Sequence, residues 1–273
     1  MNKNRLISSA ILIAVTSVAI LYDGLFIAVM LALTTAGLYE FFYLIKKKGI
    51  PIYSYTGIII GVLIPISIFF HFEPTKGWEL FFIVLVLLMI FLMQFMRKEN
   101  ANAIVGISTT LFGVLYVSWF FSFLIKIRSL LPAMAGIKLL AFIIIVTKLG
   151  DIGALLVGSR WGRHPLFPRV SPKKTIEGSV GSFAFSIAGA ILCRSFLPAS
   201  IPFVLSDIIF IGAFFGGLGQ LGDMSESLIK RDCNVKDSGK ALPGLGGVLD
   251  FIDSMLFSAP AFYFFMSAIL STP

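Results

Sequence analysis

The chain has 273 residues, of which 58 % are hydrophobic and only 13 % charged, and its mean hydropathy is +0.96. A soluble domain is nearer half apolar and a quarter charged, so the composition excludes one and leaves a single polytopic membrane domain. The formal net charge of +8 then reads as basic loops flanking a membrane, not as a nucleic-acid surface.

Apolar runs at 7–22, 24–45, 55–71, 79–96, 103–125, 138–158, 178–198, 204–229 and 252–271 predict an all-α fold of nine transmembrane helices. Asp23-Gly24 is a turn signal, so the first two runs predict a helical hairpin. The first run lacks a small-x-small cleavage site and is read as retained. With the N-terminus inside, sixteen of the 22 Lys and Arg residues fall on inside segments and five outside. That bias predicts an N-in/C-out topology in a bacterial-type inner membrane, with the main charged loops facing the cytoplasm. Residues 1–130 offer little chemistry and read as scaffold helices and as the candidate interface of a homodimer. Within them, Glu40 reads as a snorkelling or Lys-paired residue at the membrane interface. His71 reads as a solvated loop residue, and Leu131–Gly136 as a plain turn. Cys193 and Cys233 are far apart and indicate neither a disulfide framework nor a zinc site.

Residues 131–273 form the predicted catalytic region. Lys148 and Asp151 stand at i and i+3 inside an apolar run and can pair across one turn. Either the pair neutralises itself, or Asp151 faces a cleft. The basic loop that follows holds Arg160, Arg163, His164 and Arg169, read as surface charge, with no carboxylate partner evident for His164. Next comes Ser171-Pro172-Lys173-Lys174-Thr175-Ile176-Glu177-Gly178. Pro172 predicts a helix start that Ser171 or Thr175 caps, and a helix N-terminus beside Lys173 and Lys174 suits phosphate. The plainer reading is a positive loop touching anionic lipid. The glycine-rich run from Gly212 to Gly219 predicts close helix packing.

The densest charge lies between Leu221 and Ser254, with apolar runs on both sides. Ionisable groups beside lipid-facing helices are costly unless they pair, bind ions or line a wet cavity. A helix over 208–231 places Asp223, Ser227 and Lys230 on one face, with Glu226 beside them. Asp250 and Asp253 share a face at the start of the last run. The intervening Pro243–Gly247 stretch breaks regular helix and can fold back. Several carboxylates with no Cys or His pattern suit Mg²⁺, which takes oxygen ligands and shares them with phosphates.

The pattern Ser227-x-Ile229-Lys230-Arg231-x4-Lys236-Asp237-x-Gly239-x2-Leu242-Pro243-x2-Gly246-Gly247-Val248-x-Asp250-x2-Asp253 resembles the signature of the phosphatidate cytidylyltransferases. Ser171–Gly178, Asp151 and the Gly158/Gly162 pair resemble further elements of that family. Two positions depart from it: Leu245 stands where the family has His, and Phe251 where it has Arg. The resemblance implies CMP transfer from CTP to phosphatidate, giving CDP-diacylglycerol and pyrophosphate. It implies Mg²⁺ on Asp223, Asp250 and Asp253, with K⁺ as a candidate second cation. It further implies substrate-phosphate binding by Asp151, Ser171, Lys173, Lys174 and Thr175. Catalytic roles fall to Ser227, Lys230, Arg231, Lys236 and Asp237. The rival readings are a CTP-dependent kinase of a lipid alcohol such as a polyprenol and, in a different class, an anion transporter.

Overall fold

The computed structural model describes residues 14–72, 78–97, 100–242, 244 and 246–271. Residues 14–21 are helical, and Tyr22 is extended (φ −119°, ψ 121°). The break therefore falls one residue before Asp23-Gly24, and most of the first arm of the expected hairpin lies outside the described residues. The helices that follow are α1 (Asp23–Lys47), α2 (Ser54–Phe69), α3 (Trp78–Phe95) and α4 (Ala103–Gly113). A π-helical turn (Val114–Trp119) joins α4 to α5 (Phe120–Ser129), and α6 (Ala133–Trp161) comes next. A hairpin of β1 (Pro165–Phe167) and β2 (Ser171–Thr175) then leads into α7 (Ile176–Leu192), α8 (Leu205–Asp232) and α9 (Leu249–Ser271). Among the described residues the fold is thus helical apart from one two-stranded antiparallel hairpin that sequence reading missed.

Among the described residues, five helical stretches are long and apolar enough to cross a membrane: Asp23–Lys47, Ala103–Ser129, Ala133–Trp161, Leu205–Asp232 and Leu249–Ser271. Three of the nine expected spans appear as shorter apolar helices, Ser54–Phe69, Phe82–Phe95 and Ile176–Leu192. A helix of 16 residues such as α2 rises only about 24 Å, short of the roughly 30 Å hydrocarbon thickness. By contrast, α6 runs for 29 residues, starting inside the expected turn at 131–136 and ending beyond the expected boundary at 158. Large apolar side chains point outward along the helices, among them Ile104, Val180, Leu192 and Phe210. Such faces suit lipid as the solvent.

The chain divides into two compact units. The first comprises Met1–Ser122 with Asp237–Phe251. Its helices meet through small residues: a side chain at Gly61 would strike Leu38, and one at Gly113 would strike Phe41 and Phe42. The Ser118 hydroxyl donates to the Gly61 carbonyl at 2.5 Å. Arg97 donates to the carbonyls of Pro51 and Ile52, each at 3.0 Å, and lies 4.0 Å over the Tyr53 ring. The loop after Asp237 closes through reciprocal Leu242–Gly246 backbone bonds of 3.0 Å. Gly244 and Gly246 stand there at φ 79° and 105°, which disfavours any side chain. Pro243 and Leu245, and with them the departure from the family pattern at Leu245, lie outside the described residues.

The second unit comprises Phe123–Lys236 with Ile252–Pro273. The glycine-rich run of α8 packs as expected. Gly212 abuts the backbone of Ile187, Gly216 abuts Ser186, and Gly222 abuts the backbone of Asp253. In a membrane these close approaches supply the dispersion contact that holds helices together. At Gly222 the obstruction is the carbonyl oxygen of Asp253, which cannot rotate away. Gly222→Ala is expected to destabilise the protein by about 1–3 kcal/mol, the usual cost of overpacking. It should also lower activity by displacing Asp253. Thermal unfolding in detergent, read beside turnover, checks both effects; a wild-type midpoint would contradict the close approach.

Candidate active site

Four carboxylates and three ammonium groups gather in the second unit. Lys148 and Asp151 lie one turn apart on α6 and pair at 3.0 Å, as the i, i+3 spacing predicts. Ser254 of α9 joins them: its hydroxyl lies 2.9 Å from both Lys148 Nζ and Asp151 Oδ2. It accepts from the ammonium and donates to the carboxylate, so all three groups are fixed. Below this triangle Ser258 donates to the Ser254 carbonyl at 2.9 Å, and Thr147 lies 3.4 Å from Ser258. Asp253, 5 % exposed, feels the charges of Asp223, Glu226, Asp151 and Lys148. On α8, Lys174 of β2 pairs with Asp223 at 2.8 Å, and Lys230 pairs with the fully buried Glu226.

The SPKKT segment takes a different form from the one expected. It is strand β2, not a helix start, so successive side chains point to opposite faces. Lys173 is exposed, while Lys174 turns inward to Asp223. The two lysines therefore point to opposite faces of the strand. Thr175 does cap α7, accepting from the Gly178 N–H at 3.1 Å, and Ser171 lies at the other end of the strand. His164 does have a carboxylate partner: its Nδ1 lies 2.6 Å from Glu177 Oε1. The backbone N–H groups of Arg163 and His164 donate to Glu177 Oε2 at 3.1 and 3.2 Å. The His164 ring bond, followed by the backbone donors, holds the Glu177 carboxyl down to about 2. That keeps it ionised at the first turn of α7, where the helix dipole favours negative charge.

Other expected site residues are engaged elsewhere. Arg231 donates to the backbone carbonyls of Val170 (3.2 Å) and Val235 (3.0 Å), which ties the end of α8 to the hairpin. Lys236 and Asp237 are exposed, and Ser227 is buried. Asp250 belongs to the first unit. Its Oδ2 accepts from Ser238 N (3.0 Å), Ser238 Oγ (2.8 Å) and Gly247 N (2.7 Å). Glu40, read from sequence as an interface residue, is instead 6 % exposed and bonded to Ser238 and Leu249 of the same unit. Glu226, Ser254 and Glu40 are the members that sequence reading undervalued. For Glu226 the available signal was its i, i+4 spacing from Lys230 inside a helix.

The three carboxylates expected to hold the metal divide between the two units. Among the described residues, no group of three His, Cys, Asp or Glu side chains stands in a metal-holding arrangement. Asp250 belongs to the first unit, and Asp223 and Asp253 to the second. Two carboxylates are nonetheless the usual protein share for Mg²⁺, because substrate phosphates and water complete its shell. The cluster's excess of one carboxylate over its ammonium groups also suits an added cation. On donor chemistry, Asp223 and Asp253 fit the ion.

Comparison with known proteins gives this arrangement its context. The sequence model of the cytidylyltransferase family matches residues 3–269. The phosphatidate cytidylyltransferase of Synechocystis sp. is 30 % identical, with 99 % of this chain and 98 % of that one covered. That of Bacillus subtilis is 28 % identical over 242 residues, covering 89 % and 88 % of the two chains. That of Staphylococcus saprophyticus is 37 % identical over 163 residues, 60 % of each chain. With its apolar helices, its charged cluster and a family match spanning almost its whole length, the chain is an integral membrane protein that belongs to the cytidylyltransferase family.

Proposed function

We propose that this protein transfers CMP from CTP to phosphatidate, giving CDP-diacylglycerol and pyrophosphate. The observation that carries the reading is the cluster of Asp151, Lys148, Asp223 and Asp253 on apolar helices, with Lys174 reaching it from β2, in a cytidylyltransferase-family chain. In the reaction a phosphate oxygen of the lipid attacks the α-phosphorus of CTP. A P–O bond forms there, the bond to the β-phosphate breaks, and pyrophosphate leaves. The lipid phosphate is already anionic and needs no strong base; it needs charge neutralisation and in-line placement.

The residues divide that work. Lys174 leaves Asp223 to neutralise a substrate phosphate, and Lys148, held by Asp151 and Ser254, presents a second fixed positive charge. Bound by Asp223 and Asp253, Mg²⁺ would supply neutralisation of the phosphate oxygens and of the leaving pyrophosphate. Glu226 and Lys230 fix α8 from within, and Lys173 and Lys236 attract anionic substrates from the surface. Ser227 is kept as a candidate phosphate donor, and Asp237 as an orienting group for Lys236. The positive-inside bias supports a bacterial-type inner-membrane location with this face toward the cytoplasm, where CTP is found.

The test uses purified protein in liposomes with phosphatidate, a lipid alcohol, CTP and Mg²⁺. Pyrophosphate and CDP-lipid should form in equal amounts, and neither should form without phosphatidate. CDP together with a newly phosphorylated lipid alcohol would instead establish a kinase. In the same assay, Lys174→Ala should raise the KM for CTP about tenfold or more, as expected for a lost charge-assisted contact.

A further inference from the structure

The N-terminal helices, which contain none of the family's motif residues quoted above, contribute one buried carboxylate to the motif loop. Glu40 lies in α1, on a stretch that otherwise buries Leu38, Phe41, Phe42 and Leu44. A carboxylate is costly there unless its oxygens are matched. They are matched by the loop. Glu40 Oε2 lies 3.0 Å from Ser238 Oγ and accepts from Leu249 N at 2.9 Å. The backbones of Gly239 and Gly247 approach so closely that a Cβ on either would come within 2.7 Å of the Glu40 carboxyl carbon. The same Ser238 hydroxyl reaches Asp250 Oδ2 at 2.8 Å, and Asp250 also holds Ser238 N and Gly247 N. Two carboxylates thus grip the loop through one shared serine, and the two glycines allow the approach.

We propose that Glu40 is a positioning residue, whose carboxylate fixes the 238–249 loop and so sets the orientation of Asp250 at the start of α9. The chemistry of the grip defines what can replace it. A serine hydroxyl carries one hydrogen and serves one of its two carboxylates at a time. Glutamine at position 40, with its carbonyl in the place of Oε2, keeps an acceptor for both Leu249 N and Ser238 Oγ. The serine hydroxyl still has that carbonyl and Asp250 as its two acceptors. Alanine keeps neither contact and leaves a buried N–H without its acceptor.

The experiment compares wild type, Glu40→Gln, Glu40→Ala and Ser238→Ala as full chains in detergent, reading amide exchange and steady-state kinetics. Glu40→Ala should speed exchange across 238–249 by about tenfold or more, with exchange in α6 unchanged. Its kcat should fall about 30-fold while the KM for CTP stays within about threefold, because the lysines of the second unit are untouched. Glu40→Gln should keep both exchange and kcat within about threefold of wild type. Ser238→Ala, which removes only the shared hydroxyl, should lower kcat about three- to tenfold with KM unchanged, and it carries the test if Glu40→Ala does not fold. Unchanged loop exchange, faster exchange at a wild-type kcat, or a Gln variant as damaged as Ala would each overturn the proposal. The kinetic arm rests on the cytidylyl-transfer reading. If wild type makes no CDP-lipid, that reading fails, and loop exchange alone decides whether Glu40 is the anchor.

Discussion

Asp253→Asn is expected to abolish cytidylyl transfer while leaving the protein as stable as before, or more so. Asp253 is buried among Asp223, Glu226 and Asp151, with Lys148 as the opposing charge. The cluster holds four carboxylates and three ammonium groups, so removing one negative charge relieves repulsion. Asparagine is nearly isosteric and keeps an oxygen to accept from Ser254 N, a bond of 2.5 Å in the native protein. Folding should therefore survive the change. Catalysis should not, because the carboxylate is one of two that suit the metal and its phosphates. Losing one preorganised electrostatic group of this kind typically costs about 10²–10³ in kcat. The check is turnover measured beside the thermal midpoint in the same detergent. Activity lost at an unchanged or raised midpoint fits a functional carboxylate. Near-normal activity with a lowered midpoint would make Asp253 a structural residue.

Lys230 should show the opposite pattern. From sequence it reads as a catalytic cation, but the structure gives it Glu226 as a buried partner within its own helix. Breaking a buried ion pair by removing one member costs about 3–5 kcal/mol, because the other charge stays behind in a poor solvent. Lys230→Met preserves bulk yet leaves Glu226 beside Asp223 and Asp253. It should lower the thermal midpoint more than any other single change in the cluster. Glu226→Gln should cost less, since it removes a charge of the sign in excess. The double variant should recover part of the loss, and a double-mutant cycle measures that coupling. A Lys230→Met protein of native stability with a selectively raised KM for CTP would return Lys230 to the substrate.

What was legible in the sequence was local. The Lys148–Asp151 pair, the Thr175 cap and the packing glycines of α8 each follow from spacings of a few residues along one element. The charged block between Leu221 and Ser254 was visible because it stands out against apolar flanks. What was hidden depended on chain segments far apart. Glu40 meets Ser238 and Leu249 across about two hundred residues, so its own neighbourhood shows only a polar residue near a helix end. Ser254 looked like filler until α6 and α9 placed it on both Lys148 and Asp151. The SPKKT segment misled for a different reason. Proline, serine and threonine mark helix starts, but here Pro172 sits inside a short strand, and the cap falls to Thr175. That one shift of backbone sends Lys173 and Lys174 to opposite faces. The span boundaries were hidden for a related reason, because an apolar run gives hydrophobicity but not where the helix stops. Thus α7 ends at Leu192 and yields to a 3₁₀ turn at Arg194–Phe196.

The most direct test of the function follows the phosphorus atoms of CTP. Purified protein in liposomes containing phosphatidate and a lipid alcohol, with Mg²⁺, would receive CTP labelled at the α-phosphate in one reaction and at the γ-phosphate in another. Cytidylyl transfer puts the α-label into lipid and the γ-label into pyrophosphate. Lipid carrying the γ-label would mean phosphoryl transfer and would contradict the account.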